Sequence, residues 1–194
     1  MRKIPHIYEN PFDDIILNGV EYTAPFFYDN GFTPNMITTL SNITCILVII
    51  LLFKANYWWA AFFLVISYYF DCLDGHIARS YDMITVFGDY YDHISDVTKT
   101  IGVLISLYVI NPSKFYNIIP FIITFSIFGV IHIGCQEVYY NSNESETLEI
   151  LQKLCPLPNN YTKEQLEKTL SFTKYFGLGS FYAVLFGSII YYSK

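Results

Sequence analysis

The chain has 194 residues and a formal net charge of -6; it is 53% hydrophobic and 19% aromatic but only 14% charged. A soluble domain typically carries about 25% charged residues, so this balance excludes an ordinary water-soluble globule and points to a membrane. The acidic balance also argues against a nucleic-acid partner.

In chain order, Arg2 and Lys3 lead into the mixed stretch IPHIYENPFDD instead of an apolar core, which does not read as a cleavable signal peptide. Residues 1–33 read as a distinct juxtamembrane segment. Asn10 followed by Pro11 supplies a helix cap and a proline at the first helical position. Phe12, Ile15, Ile16 and Val20 then share one helical face, with Asp13, Asp14 and Asn18 off it. That pattern predicts an amphipathic helix lying on the membrane surface.

Residues 34–194 read as one transmembrane domain. Its five apolar segments run at roughly 35–53, 56–74, 93–110, 115–135 and 172–192. Each is near the roughly 20 residues needed to cross the hydrocarbon core, and in lipid such segments must be helical. Trp58, Trp59, Tyr57, Tyr191 and Tyr192 sit at segment ends, where aromatic belts form. Residues 136–171 form a polar loop in which YYNSNESETLEI reads as solvated. It ends in a helix that Thr162 and Gln165 open as a capping box. The expected fold class is therefore all-α: a polytopic membrane helix bundle with an N-terminal interfacial amphipathic helix. It has five spans, or six if one is hidden in 136–171.

Arg2, Lys3, Arg79, Lys153, Lys163, Lys168 and Lys174 fall on one side of such a bundle, and Lys54, Lys114 and Lys194 on the other. Lys99 lies inside the third span. This bias makes the first side cytoplasmic and leaves the sequons at Asn143 and Asn160 unused. Cys45, Cys72, Cys135 and Cys155 form no CxxC pair and no dense framework. Cys45 and Cys72 read as small core residues. His132 and Cys135, three apart with no second pair, read as packing rather than a metal site.

The informative stretch is DCLDGHIARSYDMITVFGDYYDHISD, residues 71–96, with aspartates at 71, 74, 82, 89, 92 and 96. Ionisable residues at the mouths of membrane helices are costly and mark function by default. Asp71, Asp74 and Ala78 share one face of the helix ending the second span. Gly88, Asp92 and Asp96 share one face of the helix starting the third. A short connection makes the two helices antiparallel neighbours, so both carboxylate pairs can converge near one membrane surface. Four like charges in a poorly solvated site repel strongly. Divalent cations resolve the repulsion, and an all-carboxylate set suits Mg²⁺ or Mn²⁺. Two ions held by shared carboxylates suit in-line displacement at phosphorus. Gly75, Ala78 and Gly88 either permit close helix approach or leave room for a nucleotide. Arg79 pairs with a phosphate or anchors at headgroup level.

The pattern D-x2-D-G-x2-A-R-x8-G-x3-D-x3-D, here Asp71, Asp74, Gly75, Ala78, Arg79, Gly88, Asp92 and Asp96, resembles the signature of the CDP-alcohol phosphotransferase family without a mismatch. The stretch FTPNMITTLS, with Pro34 and Asn35, is similar to the family's entry to its first span. The likeness covers roughly residues 10–110. It implies a transferase of phospholipid biosynthesis that moves a phosphoalcohol or phosphatidyl group from a CDP-linked donor to an alcohol, releasing CMP. On this resemblance Asp71, Asp74 and Asp92 are metal ligands. Asp96 is the general base and a further metal contact, and Gly75, Ala78, Arg79, Gly88 and Asn35 bind substrate. Asp82 and Asp89 fall outside the signature. Family members usually have six spans, against the five counted here, which bears on a homodimer as an admissible assembly.

The resemblance leaves two directions open: CDP-diacylglycerol with a soluble alcohol, or a CDP-alcohol with diacylglycerol. DGHIAR resembles the inositol-type branch and YDHISD the choline/ethanolamine type, whose enzymes are longer than this chain. Arg79, Lys99 and Lys174 are the few cations available to a phosphorylated acceptor, which disfavours one. Two other classes compete. An Asp-rich membrane prenyltransferase also binds diphosphate through Mg²⁺, but its two motifs lie far apart. A non-enzymatic, carboxylate-lined cation-binding protein predicts acidic residues deep in several spans, and outside this cluster the apolar segments have none.

Overall fold

The computed structural model describes residues 2–140, 150–158 and 160–194. It is all-helical among those residues, an architecture of the membrane-bundle type. Helix α1 (Pro11–Asp29) opens where the sequence places it: the Asn10 side chain accepts from the backbone N–H of Phe12 and Asp13, and Pro11 occupies the first turn. Phe12 and Ile15 are exposed, whereas Val20 and Ala24 are buried against Ile37, Leu73 and Ile77. Asp13 departs from the expected polar face. It is buried, and it accepts hydrogen bonds from the Tyr68 hydroxyl and the Gly179 backbone N–H. That amide belongs to the first turn of a later helix and lacks an intrahelical acceptor, so the carboxylate meets a donor that needs one. Asn10 strengthens this junction by donating to the Lys174 carbonyl at 2.6 Å and the Ser180 hydroxyl at 2.7 Å.

Helices α2 (Pro34–Phe53) and α3 (Tyr57–Ser80) are joined by three residues and pack along their length. Ser41 and Ser67 exchange hydroxyl-to-carbonyl hydrogen bonds at 2.8 and 3.0 Å between them. Helix α4 (Val86–Ile110) starts at Thr85, whose hydroxyl accepts from the Gly88 N–H, and α5 (Pro112–Tyr140) returns with Pro120 inside it. Helix α6 (Lys163–Thr173) carries the predicted Thr162–Gln165 capping box, and α7 (Leu178–Tyr191) closes the bundle. The main core joins Val48, Leu64, Leu107, Ile122 and Leu185 from α2, α3, α4, α5 and α7.

Among the described residues, three helices, α2, α4 and α5, are long and apolar enough to cross a membrane, where the sequence reading counts five. Helix α3 carries Asp71, Asp74 and Arg79 together with many aromatic residues. Helix α7 has 14 residues, short of the roughly 20 that a full span needs. Of the sequons, Asn160 is exposed and Asn143 lies outside the described residues, as does most of the YYNSNESETLEI run.

The cysteine reading needs correction. Cys135 of α5 is disulfide-bonded to Cys155, 20 residues on. The pair meets because a short turn, Ile150–Leu154, folds against α5 at Gly134, where any Cβ would overlap the Leu151 carbonyl. Local spacing carries no trace of that docking. Disulfides persist mainly in oxidising compartments, whereas the basic-residue count predicts that this side is cytoplasmic. Cys135 is buried and Cys155 is 7% exposed. His132 bonds the Thr173 hydroxyl at 2.9 Å, in keeping with a packing role.

Beside this junction, burial and the nearby Asp13 charge push the Glu9 carboxyl up to about 7. A carboxyl raised on folding holds its proton in the folded chain after the unfolded chain has released it. Its contribution to stability is therefore greatest below the unfolded value and falls as pH rises to about 7. Glu9→Gln is expected to remove on the order of 3 kcal/mol of pH dependence. Melting curves in detergent from about pH 5 to about pH 8 check this: the wild type loses stability across the range, and parallel curves for the two proteins would count against it.

Candidate active site

The site forms where the last turns of α3 face the first turns of α4. Five residues connect the helices, and Asp82 among them takes a left-handed φ of 53°, which aspartate tolerates. Asp82 is exposed and serves the turn. Carboxylate oxygens of Asp71, Asp92 and Asp96 lie within 4.8 Å of one another. Asp92 Oδ1 is buried and accepts no hydrogen bond from any described residue. Asp96 Oδ1 likewise accepts no well-directed hydrogen bond, although the Lys99 ammonium lies 3.0 Å away.

Asp74 is 2% exposed and stands outside this triplet. The Thr38 hydroxyl of α2 donates to its Oδ2 at 2.5 Å, leaving its other oxygen for a cation or water. Asp74 and Asp92 both line a polar cleft together with Asn35, Gly75, Ala78, Arg79 and Gly88. The cleft thus gathers all five residues expected to bind substrate. Close packing forms its walls. A Cβ at Gly88 would come within 2.8 Å of the Thr85 hydroxyl and 3.1 Å of Asn35 Oδ1. A Cβ at Gly75 would sit 3.0 Å from an Arg79 guanidinium nitrogen, so glycine there lets Arg79 fold back over the helix. Asp89 also lines the cleft and lies 3.4 Å from His93 Nδ1.

The sequence reading names Lys99 only as an available cation, and Lys3 and Glu137 escape it as site residues. Lys99 Nζ lies 2.5 Å from Asp71 Oδ1 and 2.8 Å from the Ser41 hydroxyl, as well as near Asp96. Its signal was present: an ionisable residue within an apolar span, three positions after Asp96. Lys3 and the buried Glu137 pair at 2.6 Å on the far wall of the cleft. Nothing local announces a contact between residues 134 positions apart.

The donor set fits a hard divalent cation. It contains only carboxylate oxygens, at the spacing of shared coordination, and one of them is buried with its hydrogen-bonding capacity unspent. One ammonium offsets part of the charge of Asp71 and Asp96, whereas Asp92 Oδ1 accepts no hydrogen bond from any described residue. Lys99→Met is expected to destabilise the ion-free protein by roughly 3 kcal/mol, because it leaves buried carboxylates uncompensated. The same change should enlarge the gain in melting temperature on adding Mn²⁺. An equal Mn²⁺ gain in both proteins would contradict this account of the charge balance.

Residues 32–147, more than half of the chain, match the family model described as CDP-alcohol phosphatidyltransferase. No curated protein and no solved structure gives a match. The chain belongs to the CDP-alcohol phosphatidyltransferase family.

Proposed function

We propose that this member of the CDP-alcohol phosphatidyltransferase family is a multi-pass membrane enzyme of phospholipid synthesis. It transfers the phosphoalcohol or phosphatidyl group of a CDP-linked donor to an alcohol and releases CMP. The observation that carries the reading is the half-buried triplet Asp71, Asp92 and Asp96, with Asp92 Oδ1 unpartnered in the lining of the polar cleft. The cation-binding alternative does not explain the Arg79 that lines the cleft, and the prenyltransferase alternative, whose motifs lie far apart, does not fit carboxylates carried on two helices joined by one short turn.

Asp71, Asp74, Asp92 and Asp96 would hold two divalent ions, Mg²⁺ or Mn²⁺. When bound, these neutralise pyrophosphate oxygens and steady the attacking and leaving oxygens. The chain's own groups do the rest. Arg79 presents a guanidinium to the phosphates, and its forked donors suit their oxygens. Gly75, Ala78 and Gly88 keep the cleft floor low enough for the nucleotide to lie across it, and Asn35 borders the same space. Asp96 takes the proton from the acceptor hydroxyl. Thr38 fixes the Asp74 carboxylate by its hydrogen bond. Lys99 holds Asp71 and Asp96 at their separation through its contacts to both. The basic-residue bias makes the cleft side cytoplasmic.

Purified protein in lipid with Mn²⁺ should release CMP from CDP-diacylglycerol or from a CDP-alcohol when the matching acceptor is present. Asp92→Asn and Asp96→Asn should each lower that rate by at least about a hundredfold. Full activity in both variants would refute the assignment.

A further inference from the structure

Two cavities meet at the carboxylates, and they differ in kind. Asp74 and Asp92 line the polar cleft with Arg79 and Lys3. Asp71 and Asp96 line a second cavity, of about 300 Å³, between α4, α5 and α7. Its walls are Ile101, Phe125, Val130, Ile133 and Phe181, and no lysine, arginine or histidine lines it. Thr100, Ser126 and Tyr182 are the neutral polar side chains within reach. At the rim, Val97 and Ile101 are 59% and 49% exposed on the outer face of α4, a helix apolar enough to cross a membrane.

This division bears on the acceptor, and the inference rests on the enzymatic reading above. The hydroxyl that reacts must reach the group that takes its proton, and Asp96 lies in the wall of the apolar cavity. A phosphorylated acceptor needs cations there, and a polyol needs a partner for each hydroxyl. Thr100, Ser126 and Tyr182 are too few partners for a polyol, and the Lys99 ammonium behind Asp71 and Asp96 is already paired with both. The cavity offers apolar surface along its length, acceptor oxygens at its end and a rim among lipid-facing side chains. The geometry points to a neutral lipid alcohol of the diacylglycerol class as the acceptor. It enters from the bilayer, while a CDP-linked small alcohol occupies the polar cleft. A second apolar groove, lined by Phe12, Ile15, Val65 and Phe186, contains no carboxylate and cannot serve the same step.

The reaction then balances as follows. The lipid hydroxyl gives its proton to the Asp96 carboxylate, and its oxygen forms a bond to the β-phosphorus. The bond from that phosphorus to the bridging oxygen breaks, and its electron pair leaves with CMP. The small alcohol stays on the phosphorus, so the product is a phospholipid already in the membrane.

The test uses the full chain in nanodiscs with Mn²⁺ and follows both CMP and the lipid product. One arm supplies CDP-ethanolamine or CDP-choline with dioleoyl diacylglycerol; the other supplies CDP-diacylglycerol with inositol, serine or glycerol phosphate. Turnover is expected only in the first arm, and only with diacylglycerol present. Turnover in the second arm overturns this inference and leaves the enzymatic reading standing; no CMP in either arm sinks both. Filling the cavity with Val130→Phe should raise KM for diacylglycerol by roughly tenfold while leaving KM for the CDP-alcohol unchanged. Val65→Phe, in the other groove, should change neither. Equal effects of Val130→Phe on both substrates would count against the cavity as the acceptor's path.

Discussion

Mutual repulsion among Asp71, Asp92 and Asp96 is the constraint on which the rest of the structure depends. Their oxygens crowd within 4.8 Å inside a helical bundle, where solvent screens little. Such a triplet persists only if cations are brought to it and the helices carrying it cannot spread apart. Lys99 meets part of the first need from within α4 itself. The second is met by polar bonds that fasten α2 across both partners. Ser41 bonds Ser67 of α3, Thr38 bonds Asp74, and Asn42 donates to Ser95 of α4 at 3.0 Å. Each removes a buried polar group from the unsatisfied state while fixing how the helices sit.

The same arrangement separates two environments. Going down α3, successive carboxylates point to different spaces: Asp71 toward the apolar cavity, Asp74 toward the polar cleft. On α4 the order reverses, with Asp92 on the cleft and Asp96 on the cavity. A reaction between a nucleotide and a lipid requires such a junction, because neither reactant is comfortable in the other's solvent. The N-terminal segment closes the cleft side. Asp13 and Asn10 anchor α1 to the start of α7, and Lys3 reaches Glu137 on the cleft wall.

Features written in short spacing were legible in the sequence. Asn10–Pro11 and the Thr162–Gln165 box announce helix starts by local hydrogen bonding, and both hold. The spacing of Asp71 with Asp74, and of Asp92 with Asp96, announced that carboxylates would meet. Helix ends were less legible, because hydropathy reports where lipid begins and not where helix stops. Helix α3 runs to Ser80 and α4 begins at Val86, so the polar site residues sit on continuous helix. Long-range pairings were not legible at all. Lys3–Glu137, Cys135–Cys155 and the burial of Asp13 against Tyr68 arise only once the bundle has formed. Lys99 lies between these cases: its place in an apolar span was visible, but its bridge across Asp71 and Asp96 needed the fold.

The most direct measurement of the central claim is Mn²⁺ binding to the purified protein, followed by electron paramagnetic resonance without any substrate. The account predicts saturable binding that weakens by more than about tenfold in Asp92→Asn, since Asp92 Oδ1 accepts no hydrogen bond from any described residue. Binding of equal strength in the wild type and in Asp92→Asn would contradict it, and would reduce the triplet to an ion-pair network around Lys99.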